Sequence, residues 1–218
     1  MKNTVPAENQ MLGSSVLSFL GEKDAPLKIL IVGNSITRHG IKAEIGWNND
    51  FGMAATSEEN DYVHRLFTMR QKNGKNVYMR IRQASSWELH LRDANCLKEF
   101  KSERAFDADI VIFRLGENVS EENFPYFKDA LRDFISYICP NGKTVFSTCF
   151  WQNPFLDNAI QEIANERHEQ CVDCGFSTDA RTMALGQFQH SGVAIHPSDF
   201  GMEKIASAIF NQLMVLIK

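Results

Sequence analysis

Long runs of one character are missing from these 218 residues. No apolar stretch reaches the ~18 residues that a membrane-spanning helix needs, so no span is expected. No basic cluster exists either. Lys and Arg number 23 against 27 Asp and Glu, a net charge of −4, which argues against nucleic acid as the main partner. Glycine-rich phosphate loops are absent: the chain has neither G-x-x-x-x-G-K-[ST] nor G-x-G-x-x-G, and the first loop opens with only Gly33 and Gly40 around Arg38. Cysteines number five, and the lone C-x-x-C, Cys171–Cys174, lacks the second pair that a zinc site would need. Its thiols fall where a short strand is expected, on opposite faces, and read as small buried hydrophobes. No metal or cofactor is expected.

A leader is also hard to find. MLGSSVLSFL (11–20) is mildly apolar but broken by Gly and Ser, Lys2 and Glu8 leave no positive excess before it, and no A-x-A follows. It reads as a surface segment rather than a signal peptide, so the chain as it stands is expected in the cytoplasm, or exported if a signal has been removed.

What is present is ordinary for a soluble globular domain: 44% apolar and 23% charged residues, enough chain for one sizeable core. Strand and helix signals alternate. LKILIVG (27–33), VYMRIRQ (77–83), ADIVIFRLG (108–116), KTVFSTCF (143–150) and CVDCGF (171–176) read as strands. The second alternates apolar and polar residues, as an edge strand does. Helices are expected between them. One follows Thr56, with Thr56 and Glu59 as a capping box, and the last spans 197–217. Alternation of this kind implies an α/β fold, a three-layer α/β/α sandwich on a flavodoxin-like, five-stranded parallel sheet of order 2-1-3-4-5. Residues 1–26 read as an N-terminal extension and 27–218 as one domain.

Ligands of such sheets bind beyond the carboxyl ends of the strands. The residues there are Gly33-Asn34-Ser35, Ala84-Ser85-Ser86-Trp87, Gly116-Glu117-Asn118 and Phe150-Trp151-Gln152-Asn153, with His196-Pro197 before the last helix. Taken alone, Ser35 is a turn residue or a helix cap, Asn118 a loop residue, and His196 one of six histidines. Taken together they fit acyl transfer, in which a serine needs a base and its oxyanion needs donors.

ILIVGNSIT, RLGEN and HPSDFGMEKIA, in this order across roughly residues 28–210, resemble blocks I, III and V of the SGNH (GDSL-like) hydrolase family. The resemblance implies an esterase that needs no metal, with Ser35 as nucleophile and His196 as general base and then acid. It implies an oxyanion hole from the Ser35 N–H, the Asn118 side chain and a block II backbone N–H. Two positions depart from the pattern. Val193 stands three residues before His196, where the family usually carries an acid, leaving His196 to a main-chain carbonyl or an acid from elsewhere. Asp199, nearby, suits a cap of the last helix better. The block II glycine is replaced by Gln83-Ala84-Ser85-Ser86, so Ala84 (or Ser85) is the expected donor, with Gly52 as a competitor.

The loop 46–60 is long for a strand-to-helix connection, and long loops at a functional edge tend to bind ligands. Trp47 and Phe51 within it, with Trp151, are candidate stacking platforms, and Trp87 is expected at the same edge. Glu117 is open to three roles: holding Arg38, binding a sugar hydroxyl, or facing water. Flat rings beside amides and carboxylates suit a glycan ester, and removal of small acyl groups, chiefly acetyl, from carbohydrate is the preferred activity. A glycan-binding domain without turnover, and an acyltransferase or thioesterase using the same serine, are the competing readings.

Overall fold

The structure is a computed structural model that describes residues 16–72, 74 and 76–217. Its strands are β1 (Leu17–Leu20), β2 (Lys28–Gly33), β3 (Tyr78–Gln83), β4 (Ile110–Arg114), β5 (Lys143–Ser147) and β6 (Cys171–Val172). They form one sheet of order β1-β3-β2-β4-β5-β6. All neighbours are parallel except β1, which runs antiparallel to β3. The five parallel strands thus follow the expected order, and β1 is an addition. It comes from the segment read as a surface extension, of which residues 1–15 lie outside the described residues.

The helices are α1 (Tyr62–Lys72), α2 (Ser85–His90), α3 (Lys101–Phe106), α4 (Phe124–Ile138), α5 (Pro154–Glu166), α6 (Ser191–Ala194) and α7 (Asp199–Leu216). They cover both faces of the sheet, which is why the central strands read as unbroken apolar runs. Leu30 and Val32 of β2 face α2, α4 and α5, among Trp87, Phe127 and Phe134. Ile29 and Ile31 point the other way, against Val63 and Leu66 of α1 and Ile205 and Ile209 of α7. Each of these four β2 side chains is 0% exposed, and full burial contributes roughly 1.5–3 kcal/mol apiece.

β3 is not the edge strand its alternation suggested. β1 covers its outer edge, with Phe19 stacked on Tyr78 at 5.6 Å. Its polar face is buried too. Arg80 reaches Glu103 of α3 at 2.7 Å, and the Arg82 guanidinium lies 4.6 Å from the centre of the Phe100 ring. Two arginines made the strand look solvated, and their charge is met by a carboxylate and by aromatic faces instead.

Two expected caps also move. α1 starts at Tyr62, and the Asp61 carboxylate accepts from His64 N–H at 2.8 Å. Thr56 lies upstream, where its N–H and hydroxyl donate to Asp199 at 2.8 and 2.6 Å. Ser198 caps α7 by accepting from Gly201 N–H, so Asp199 serves the long loop rather than the helix. Among the described residues no helix is long and apolar enough to cross a membrane.

Candidate active site

β2 ends on glycine for a steric reason. A Cβ at Gly33 would sit 1.9 Å from the Thr37 hydroxyl oxygen. The chain then turns tightly, with Thr37 and Arg38 N–H both donating to the Asn34 carbonyl at 2.9 and 3.0 Å. This turn sets Ser35 at the carboxyl end of the sheet. Its Oγ lies 2.9 Å from His196 Nε2.

The opposite ring nitrogen fixes the proton. His196 Nδ1 is 2.6 Å from the Gly192 carbonyl oxygen, which can only accept, so Nδ1 carries the hydrogen and Nε2 presents its lone pair to Ser35. Backbone pairing holds the histidine in place: Ala184 N–H donates to the His196 carbonyl at 3.0 Å and Ser198 N–H to Thr182 at 2.8 Å. The Trp151 ring meets the imidazole edge-on at 5.1 Å. His196 is 0% and Ser35 3% exposed. Burial lowers the histidine to about 3, against the raising effect of its bond to Gly192. It is therefore neutral throughout the ordinary pH range, with the Nε2 lone pair unprotonated and facing Ser35.

Val193 has its own place. It is fully buried among Trp47, Ala54 and Ala184, in the cluster that anchors the 46–56 loop. An apolar residue suits that position, and the carbonyl one residue earlier supplies the imidazole's partner.

Behind the serine lies a buried polar network. Arg114, 0% exposed, ends β4 and donates from Nη1 to Asn34 Oδ1 at 3.1 Å. Its Nη2 pairs with Glu117. Burial pulls the guanidinium down, and the adjoining Glu117 carboxylate is the chief group that more than offsets this. Glu117 also accepts from Asn34 Nδ2 at 2.6 Å and Phe150 N–H at 2.9 Å. Glu88 of α2 accepts from Asn34 Nδ2 at 3.1 Å, Gly116 N–H at 2.6 Å and Asn118 Nδ2 at 2.6 Å. Gly116 turns the chain here with φ +136°, and a Cβ would meet Cys149 Sγ at 2.6 Å.

The parallel sheet, the Ser35–His196 contact and the Asn118 loop at one edge invite comparison with known structures. No family model matches this chain, and no curated protein does. Solved structures do. An acetylxylan esterase from Geobacillus stearothermophilus superposes with a TM-score of 0.58 at 20% identity, over 87% of this chain and 94% of that one. A psychrotrophic esterase from a Pseudoalteromonas species gives 0.56 at 12% identity, over 87% and 98%. A lipolytic protein of the G-D-S-L family from Veillonella parvula gives 0.57 at 12% identity, over 86% and 98%.

The fold is that of the SGNH (GDSL-like) hydrolases.

On this SGNH fold several nominated residues stand elsewhere than expected. Ala84 N–H already donates to the Gly33 carbonyl at 2.6 Å, which removes it as an oxyanion donor. Ser85 N–H is taken by Gln83 and Gly52 N–H by Asp61, both at 3.1 Å. Ser35 N–H makes no hydrogen bond among the described residues. Trp47 is 0% exposed, its indole N–H on the His39 carbonyl at 3.2 Å, so it is a loop anchor and not a platform. Half-buried Phe51 packs edge-on against it at 5.4 Å. Trp87 points into the core, stacked on Phe134 at 4.8 Å. Glu117 does not face water and does not hold Arg38, which pairs with Asp50 at 2.8 Å. Cys171 and Cys174 are free thiols that burial raises to about 12. Among the described residues no three His, Cys, Asp or Glu side chains are grouped to hold a metal ion.

Arg114 and Glu88 carried no clear signal in the sequence, and of the two partners left open for His196 it is a main-chain carbonyl, that of Gly192, that meets Nδ1. Arg114 left one trace, a cation closing the buried run IVIF. Glu88 left none, since a glutamate on a helix is usually solvated.

Proposed function

We propose that the chain is a serine ester hydrolase that removes small acyl groups, chiefly acetyl esters of carbohydrate. The observation that carries this reading is the 2.9 Å contact between Ser35 Oγ and His196 Nε2, with Nδ1 fixed on a carbonyl. Ser35 Oγ attacks the ester carbonyl carbon while its proton passes to Nε2. The carbonyl oxygen takes up negative charge, met by Ser35 N–H and by the second Asn118 Nδ2 hydrogen, which leaves its long 3.4 Å contact with Ser85 Oγ while the first stays on Glu88. The tetrahedral intermediate collapses to an acyl-serine, and His196 returns the proton to the departing alcohol. Water then attacks the acyl-serine, again giving a proton to His196, and releases the acid and free Ser35.

A small acyl group is favoured because the serine is almost wholly enclosed, with Trp151 against the imidazole. The carbohydrate assignment draws on the likeness to the acetylxylan esterase. Two structures of that enzyme are described as catalytic mutants, one with a serine and one with a histidine replaced by alanine. The competing idea of a domain without turnover drew on the missing acid before His196, and the Gly192 carbonyl against Nδ1 favours turnover over it.

Hydrolysis of 4-nitrophenyl acetate is expected to vanish in Ser35→Ala, and a fluorophosphonate probe is expected to label the wild type alone. Undiminished turnover in that variant would overturn the assignment. Acetate release from acetylated xylo-oligosaccharides, compared with hydrolysis of a long-chain 4-nitrophenyl ester, tests the substrate class.

A further inference from the structure

We infer that Glu88 is a positioning residue, an ionised carboxylate that sets the Asn118 amide, the Gly116 turn and Asn34 in register with Ser35. The inference rests on the hydrolase reading and adds to it the group that governs activity at low pH.

The geometry is specific. Glu88 sits on the helix after β3, and its three donors come from the turns after β2 and β4. One carboxylate therefore ties together the carboxyl ends of three adjacent strands, and it is 0% exposed. Its oxygens are unequally loaded. Oε1 takes two donors, Asn34 Nδ2 and Gly116 N–H, while Oε2 takes Asn118 Nδ2 alone. A carboxylate is purely an acceptor, but a carboxylic acid carries an O–H. The proton goes to the less loaded oxygen, Oε2. There it confronts the Asn118 amide, which must shift from the position the carboxylate gave it.

The charged and titratable groups facing Glu88 come from three directions. Glu117, after β4, repels it. Arg114 of β4 is spent on Glu117 and Asn34. Cys149, after β5, is a buried thiol held neutral. Burial raises Glu88 to about 7, the Glu117 charge adds to the rise, and the three hydrogen bonds limit it. His196 stays neutral down to about 3. Between these values Glu88 takes up a proton while His196 does not.

The test is the pH profile of kcat/KM for 4-nitrophenyl acetate, read at the isosbestic wavelength of 4-nitrophenol. In the wild type an acid limb is expected near pH 7, falling roughly tenfold per unit below it. In Glu88→Gln the rate above pH 7 is expected to drop by roughly 10–100-fold, mostly in kcat, which is less than the ~100–1000-fold cost of deleting an oxyanion donor because Asn118 is displaced and not removed. The limb near pH 7 disappears with it. Glu88→Asp keeps a carboxylate and is expected to recover part of the rate, with a limb at a displaced midpoint. If Glu88→Gln does not fold, the Asp variant decides. A limb that stays at the wild-type midpoint in either variant assigns the titration to another group and overturns the inference. The hydrolase reading is checked separately by fluorophosphonate labelling of Ser35 in the wild type at about pH 8. Failure there sinks that reading, whereas labelling with an unmoved limb sinks only the role of Glu88.

Discussion

Acid should loosen this fold through His196, and the size of the effect follows from its burial. The perturbation is a drop from about pH 7.5 to about pH 4.5. An unfolded histidine titrates near ~6.5 and gains a proton on the way. In the native state His196 is held down to about 3 and gains none. A depressed histidine contributes stability that is present above the unfolded value and lost as pH falls toward the folded one. At about pH 4.5, two units below the unfolded value, the loss is ~2.7 kcal/mol. His39, also 0% exposed and lowered to about 4 chiefly by burial, adds nearly as much. Glu88 works the other way. Raised to about 7, its folded form keeps a proton that the unfolded chain gives up. Its contribution grows as pH falls from about 7 toward the ordinary carboxylate range, by roughly 3 kcal/mol. A single curve therefore mixes opposing effects, and a variant must isolate one. The assay is urea unfolding of wild type and His196→Asn at both pH values, followed by fluorescence of the buried Trp47 and Trp87. The wild type should lose about 2.7 kcal/mol more than the variant, a relative midpoint shift of roughly 1 M urea. Equal losses in the two proteins would refute the claim that His196 is buried and neutral.

Two further substitutions probe the frame of the site. Val193→Asp restores the acid usual at that position but buries it among Trp47, Ala54 and Ala184. The melting temperature should fall by an amount matching several kcal/mol, with no gain in kcat, because Nδ1 already has its partner. A faster enzyme would show that the carbonyl is an inadequate support. Gly116→Ala meets both a positive φ and a contact of 2.6 Å with Cys149 Sγ, and calorimetry should show a loss of about 2 kcal/mol or more. A neutral result would mean that this turn relaxes freely.

Much of this arrangement was legible in the chain itself, and the failures share a cause. ILIV and IVIF are uniformly apolar because both faces of their strands are covered, so pattern led directly to a parallel sheet. Strand-end positions put Ser35 and Asn118 at one edge of the sheet, and the likeness to blocks I, III and V joined His196 to them. β1 was missed because LSFL is short and takes its place only by pairing with β3 and stacking on Tyr78. β3 was misplaced because pattern cannot distinguish an arginine in water from one lying on Phe100. Trp87 was sent to the rim because its position after β3 was read without the helical phase that turns it inward. Glu88 and Arg114 stand on different elements with no periodicity linking them, so only the folded chain shows that they share a network. The Gly192 carbonyl has no residue-type signature at all, since every residue carries one.

That carbonyl has a consequence for how the site can be dissected. The group that orients His196 belongs to the main chain, so no side-chain substitution deletes it. An alanine scan across the domain would return a serine and a histidine with no third partner, though the third is present. The partner also carries no net charge. It cannot be neutralised by acid or screened by salt as a carboxylate can, and the orientation of His196 is insulated from both. Replacing the Gly192–Val193 amide by an ester, which weakens that carbonyl as an acceptor without altering any side chain, is the chemical edit that reaches it.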